Sequence, residues 1–239
     1  MYLIVIVPYF MIKSFLILLI FPIFLFSAQQ IVLVVAEDFN TSHADLEFYE
    51  GEKLLLSSKV NLGTHGLGWG LGEKKLTQKQ GEPLKHEGDK KAPAGIFQLS
   101  ATFGYANNVT TKLPYIYASK ELICVDDSHS PFYNQIIQAK GNEKSFEYMR
   151  RKDAQYELGV VVRHNKMAQE NRGSCIFLHV QKEEGHSTAG CTSMALEKLK
   201  TIVKMLDEEK NPILIQIPKQ SKEEIIKLYP QLKHSSLLQ

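Results

Sequence analysis

Cysteine is scarce in this chain, which has only Cys124, Cys175 and Cys191. So small a set supports neither a disulfide-dense scaffold nor a paired CxxC zinc framework. Being odd in number, it leaves one thiol over. Charge of a single sign is also lacking: the formal net charge is +2 with acids and bases interspersed. No basic stripe of the kind nucleic acids require is present, so no nucleic-acid partner is expected. HxxxH and HExxH spacings are absent, which argues against a metal-dependent hydrolase built on His164, His179 and His186; no metal and no cofactor is expected. No segment repeats at a fixed period. The run GLGWGLG around the single Trp69 comes nearest to a dinucleotide fingerprint. No helical pattern follows it and no βαβ unit surrounds it, so that function is set aside.

Long hydrophobic runs are confined to the start. From Met1 to Ala28 Lys13 is the only charge, and Met11-Ile12-Lys13, an apolar stretch and Ser27-Ala28 have the order of a secretory signal. Met11 is then the natural start. The rival reading is a retained membrane anchor, because the run from Met1 is long enough to span a bilayer. No cysteine lies near Ala28, so a lipoprotein anchor is not supported. Residues 29–239, roughly 210 in all, suit one compact domain. In an oxidising space Cys124 and Cys175 either pair, leaving Cys191 free, or stay as two buried thiols; the sequence leaves both open.

Gln30–Asp38, Leu46–Phe48 and Lys53–Leu62 predict successive antiparallel strands, with turn chemistry at Glu50-Gly51-Glu52. Gly63–Lys91 is rich in Gly, Lys and Glu and predicts a long loop, best placed as a flap near a site. Ala94–Ser100 and Glu121–Val125 predict strands, with polar loops at Tyr105–Lys112 and Asp126–Asn134. Ser145–Arg151 predicts a short helix. Leu158–Arg163 and Cys175–Val180 are apolar enough for central strands. Leu199, Ile202, Val203 and Leu206 then form a helical stripe, capped by Thr192 or Ser193. Pro212–Ile217 predicts a last strand and Ser221–Leu228 a short amphipathic helix. The fold class is mainly β with α: a sandwich-like or mixed sheet with one principal helix beside it.

The unusual residues gather in Cys175–Met194, CIFLHVQKEEGHSTAGCTSM. His179 lies in an apolar strand, where an imidazole needs a partner or a task. Cys191 follows a polar loop and directly follows Gly190, ahead of the helical stripe. A thiol at a helix N-terminus gains thiolate character from the dipole and the free amides. Gly190 leaves the approach open, and amides near Gly190 and Cys191 can serve a developing oxyanion. His186 is a second candidate base but sits in the loop; His179, on a rigid strand, is preferred. The bland alternative is a buried thiol and a satisfied core histidine.

Phe177-Leu178-His179 followed by Ser187-Thr188-Ala189-Gly190-Cys191-Thr192-Ser193-Met194 resembles the catalytic signature of the L,D-transpeptidase, or YkuD-like, domain. Lys91-Ala92-Pro93-Ala94-Gly95-Ile96-Phe97 similarly resembles that family's TPxGxF strand opening. The resemblance spans roughly Ile31–Pro218 and implies a β-rich catalytic domain, acyl transfer through a cysteine thioester, and peptidoglycan stem peptides as partners in a periplasmic or cell-envelope location. It implies Cys191 as nucleophile, His179 as base and Gly190 beside them. Thr188 and Ser193 are candidate substrate contacts. Ala189 stands where the family usually carries His, and Ser193 where Arg or Asn is usual; Arg163, His164 and Asn165 are candidates to supply those polar contacts. Asp126, Asp127 and Tyr133 are further guesses for the pocket wall. An amine acceptor would make a transpeptidase and water an L,D-carboxypeptidase; a catalytically inactive peptidoglycan-binding module is the alternative.

Overall fold

The computed structural model of the chain describes Met1 and residues 28–239; the signal or anchor expected before Ala28 lies outside the described residues. Among the described residues, thirteen strands and two short helices follow one another. They are β1 (Gln30–Ala36), β2 (His43–Glu50), β3 (Lys53–Asn61), β4 (Leu67–Trp69), β5 (Ala92–Gly104), β6 (Tyr115–Tyr117) and β7 (Leu122–Val125). After these come β8 (Ile136–Gln138), β9 (Phe146–Tyr148), β10 (Leu158–Val162), β11 (Phe177–Val180), β12 (Thr192–Met194), α1 (Leu196–Met205), β13 (Ile213–Pro218) and α2 (Lys222–Leu228).

β1, β2 and β3 form the expected antiparallel meander. On its other side β1 pairs with β13 in parallel, and every residue of β1 is buried. The sheet continues β10-β11-β12-β3-β2-β1-β13-β5, and β5 pairs again with β10. That last pairing closes a mixed barrel of eight strands, where the sequence suggested an open sandwich or sheet. The cause is the length of β5. Its Gly95–Gln98 stretch pairs with β13 and its Leu99–Gly104 stretch with β10, with a bulge at Val161/Val162 that bends the seam. Gly159 makes the seam possible, because a Cβ there would lie 2.2 Å from the Phe103 ring.

α1 buries Leu199, Ile202 and Val203 against β10 and β11. It starts later than the sequence suggested: its N-cap is Ala195, while Thr192 and Ser193 belong to β12. Thr192 and Ser193 are pulled into the barrel by pairing with Leu178 and His179, which outweighs their preference for a helix cap.

Two further expectations are corrected. Gly63–Lys91 is not structureless, since β4 within it pairs in parallel with β5. Ser145–Arg151 is not helical: Phe146–Tyr148 is a strand paired with β7. Over so short a run, period-two alternation of Phe146 and Tyr148 against Glu147 and Met149 was legible as easily as a helical period. β8, β7 and β9 make a separate three-stranded sheet, and a disulfide between Cys124 of β7 and Cys175 ties it to the barrel segment leading into β11. Between this sheet and the barrel lies a second small core that includes Phe103, Met149, Tyr156, Phe177 and Cys191.

Candidate active site

The seam between barrel and small sheet opens into a cavity of about 370 Å³ whose walls include Cys191, His179, Tyr156, Glu147, Lys85 and Thr188. Cys191 is the free cysteine of the chain. It does not stand at a helix N-terminus, because β12 intervenes before α1; the helix dipole is therefore not what acts on its sulfur. The thiol instead sits against the start of β11 and the residues leading into it. The Phe177 N–H donates to Sγ at 3.4 Å, and the thiol donates to the Cys175 carbonyl at 3.4 Å. Burial pushes the thiol up to about 12, with the Glu147 carboxylate adding to the effect; the Phe177 amide, the Tyr156 hydroxyl and the Lys85 charge pull the other way.

His179 is buried, and its Nδ1 lies 2.8 Å from the Val180 carbonyl. A carbonyl only accepts, so in that hydrogen bond Nδ1 carries the proton and Nε2 the lone pair; the Gln155 carbonyl also lies close to the ring. Burial lowers this imidazole to about 4, with Arg151 adding to the effect. Around neutrality the pair thus rests as neutral thiol and neutral imidazole. Tyr156 packs edge-on against the His179 ring, with centroids 5.2 Å apart, and its hydroxyl donates to Glu147 Oε2 at 2.6 Å. Burial raises the Glu147 carboxyl above its usual range.

Thr188 lines the cavity, but its hydroxyl serves the turn that carries the thiol. It donates to the Cys191 carbonyl at 2.7 Å and accepts from the Gly190 N–H at 3.0 Å. The Gly190 amide expected to face an oxyanion is therefore engaged by Thr188. Gly190 is still required for its backbone, which takes a φ of 149°, and a Cβ there would press on the Lys91 carbonyl at 3.1 Å.

The remaining candidates fall elsewhere. Ser193 is buried beside β3, where it pairs with Asn61 and accepts from its Nδ2 at 3.4 Å. His164 is buried, accepting from the Leu71 N–H at 3.2 Å and donating to the Arg172 carbonyl at 2.8 Å. Asn165 is buried and staples its own loop through Gln169 and Gly173. Arg163 and Asn165 line a different cavity. His186 lines the cysteine cavity but on an exposed loop, 3.5 Å from Glu183. Of the guesses for the wall, Asp126 lines it, whereas Tyr133 stands behind, donating to Glu87 at 2.5 Å. Asp127 does not line it and caps the His129 amide.

The Gly63–Lys91 segment does reach the site. Lys85, Glu87 and Gly88 line the cavity, and Lys85 is held inside by Asp89 at 2.6 Å. Sequence reasoning missed Lys85, Glu147, Arg151 and Tyr156. The alternation in Phe146–Met149 was the available signal for Glu147, since a strand turns Glu147 and Met149 to the same side, away from Phe146 and Tyr148. Nothing local marked Tyr156 or Lys85, which arrive by tertiary folding. Among the described residues no group of three or more His, Cys, Asp or Glu side chains is arranged to hold a metal ion. Comparison with family models, curated proteins and solved structures returned no match to this chain.

Proposed function

We propose that the chain is an exported cysteine acyl-transfer enzyme of peptidoglycan, an L,D-transpeptidase or L,D-carboxypeptidase of the YkuD-like kind. The observation that carries the reading is that Cys191 and a neutral His179 line one cavity, on residues that also bear the sequence resemblance. The Cys124–Cys175 disulfide is in keeping with an oxidising compartment outside the cytoplasm.

With burial pushing the thiol up to about 12 and the imidazole down to about 4, the neutral thiol and the neutral imidazole are the favoured resting forms. Proton transfer therefore accompanies attack instead of preceding it. Nε2 of His179 takes the thiol proton as Sγ bonds to the substrate carbonyl carbon, and the negative charge passes to the carbonyl oxygen. Collapse breaks the C–N bond, the leaving amine takes the proton from the imidazolium, and a thioester on Cys191 remains. An acceptor amine then gives a crosslink, or water a trimmed peptide. Tyr156 holds the His179 ring in place during both halves.

The test is mass spectrometry of tri-, tetra- and pentapeptide stem peptides incubated with wild type and Cys191→Ala. A product that depends on Cys191 supports the enzyme and separates crosslinking from trimming. Burial of the thiol favours a second reading, an inactive peptidoglycan-binding module; peptides that bind equally to both proteins without turnover would favour it.

A further inference from the structure

We propose that the cleft between the Gly70–Leu76 segment and the Arg163–Arg172 loop is a second binding site, one that takes a small polyanion bearing carboxylate or phosphate groups. The cleft measures about 500 Å³, within the usual range for small-molecule sites. Its lining includes Lys74, Lys75, Arg163, Lys166 and Arg172 against a single acid, Glu73. None of these five cations takes part in an ion pair among the described residues. Nearby carboxylates are turned to other partners: Glu170 to His129 at 2.5 Å, and Glu82 to the Trp69 indole N–H at 2.7 Å. Like charges gathered in one concavity repel, and an anion with several oxygens relieves that repulsion while accepting from both guanidinium groups.

Two of the cations are anchored before any ligand arrives: Lys74 Nζ lies over the Tyr229 ring, 5.0 Å from its centroid, and Arg172 is tied to backbone. Arg172 donates from Nε to the Lys85 carbonyl at 3.3 Å, which leaves its other N–H groups unengaged by that bond. Asn165 ties the loop that carries Lys166 and Arg172. The floor is peptide backbone: Gly72 packs so tightly that a Cβ would lie 2.2 Å from the Ile96 carbonyl. His164 beneath it rests uncharged, lowered to about 4 by burial and by the charges of Lys85 and Arg172. Leu84 faces this cleft while Lys85 lines the cysteine cavity, so the two sites share one wall and are otherwise separate. The inference is independent of the chemistry at Cys191.

The test is calorimetric titration of the full chain with inorganic tripolyphosphate and, in a second arm, tricarballylate. Binding at about 100 µM or tighter at low salt, weakening as salt is added, is expected in one arm or both; the responding arm identifies phosphate or carboxylate as the ligand chemistry. Arg163→Gln with Lys166→Gln should weaken binding about tenfold or more. Lys53→Gln with Lys233→Gln removes the same charge elsewhere and should leave it within about twofold. Unchanged far-ultraviolet dichroism and melting of both pairs keep folding out of the comparison. No heat from either probe at millimolar concentration, or equal weakening by both pairs, would overturn the proposal.

Discussion

Raising the pH should activate Cys191 toward an alkylating reagent along a line with no plateau near neutrality. The thiol is pushed from an ordinary 9.0 to about 12 by burial, so its thiolate fraction at pH 7 is about a thousandfold below that of an exposed cysteine. Iodoacetamide should therefore modify the folded chain at least that much more slowly than glutathione at pH 7, and the rate should rise about tenfold per pH unit between 7 and 10. The other two cysteines are joined, so intact-mass measurement of a single adduct reports Cys191 alone. His179→Ala should leave the slope unchanged, because the resting imidazole is neutral and holds no proton from the sulfur. A rate flat between pH 5 and 8, with His179→Ala removing that flat region, would reveal a resting thiolate–imidazolium pair and refute the neutral-pair reasoning.

Stability should fall as pH drops from about 6.5 toward 4, because His164 and His179 are both held neutral at about 4 in the fold and take up protons only when the chain unfolds. Each histidine contributes up to about 3 kcal/mol to that loss, which urea titrations at pH 7 and 4.5 would register; a rise in stability on acidification would contradict it. Replacing Cys124 and Cys175 together with Ala frees a loop of separation 51 and should lower the unfolding free energy by about 2–4 kcal/mol, measured by urea denaturation at constant pH. Gly159→Ala places a methyl 2.2 Å from the Phe103 ring at the β5–β10 seam and should cost about 1–3 kcal/mol, seen as a lower melting temperature. Tyr156→Phe keeps the ring against His179 but removes the donor to Glu147. It should slow the Cys191-dependent reaction more than it affects melting, and an unchanged rate would separate Tyr156 from the chemistry.

The strands were legible where burial on one or both faces wrote itself into local pattern, as in Gln30–Ala36 and Leu158–Val162. So was the helix over Leu196–Met205, whose stripe at Leu199, Ile202 and Val203 meets the barrel. Barrel closure was not legible, because it depends on one long strand, β5, pairing with two partners in succession. Cys191 and His179 could be singled out because glycine, polar loop and apolar strand frame them locally. Their electrostatic state could not be, since it comes from burial beneath the small sheet and not from a helix end. Arg163, His164 and Asn165 carried the polar look of a binding triad, yet two of the three are consumed in holding their own loop. Residue type alone does not separate a ligand contact from a loop staple.

The most direct measurement of the central claim is intact-protein mass spectrometry of the chain quenched by acid during turnover of a tetrapeptide stem. A transient mass increase equal to the acyl portion of the peptide, mapped to Cys191 and absent from Cys191→Ala, is the predicted result. Turnover that persists in Cys191→Ala, or an adduct mapped to another residue, would contradict it.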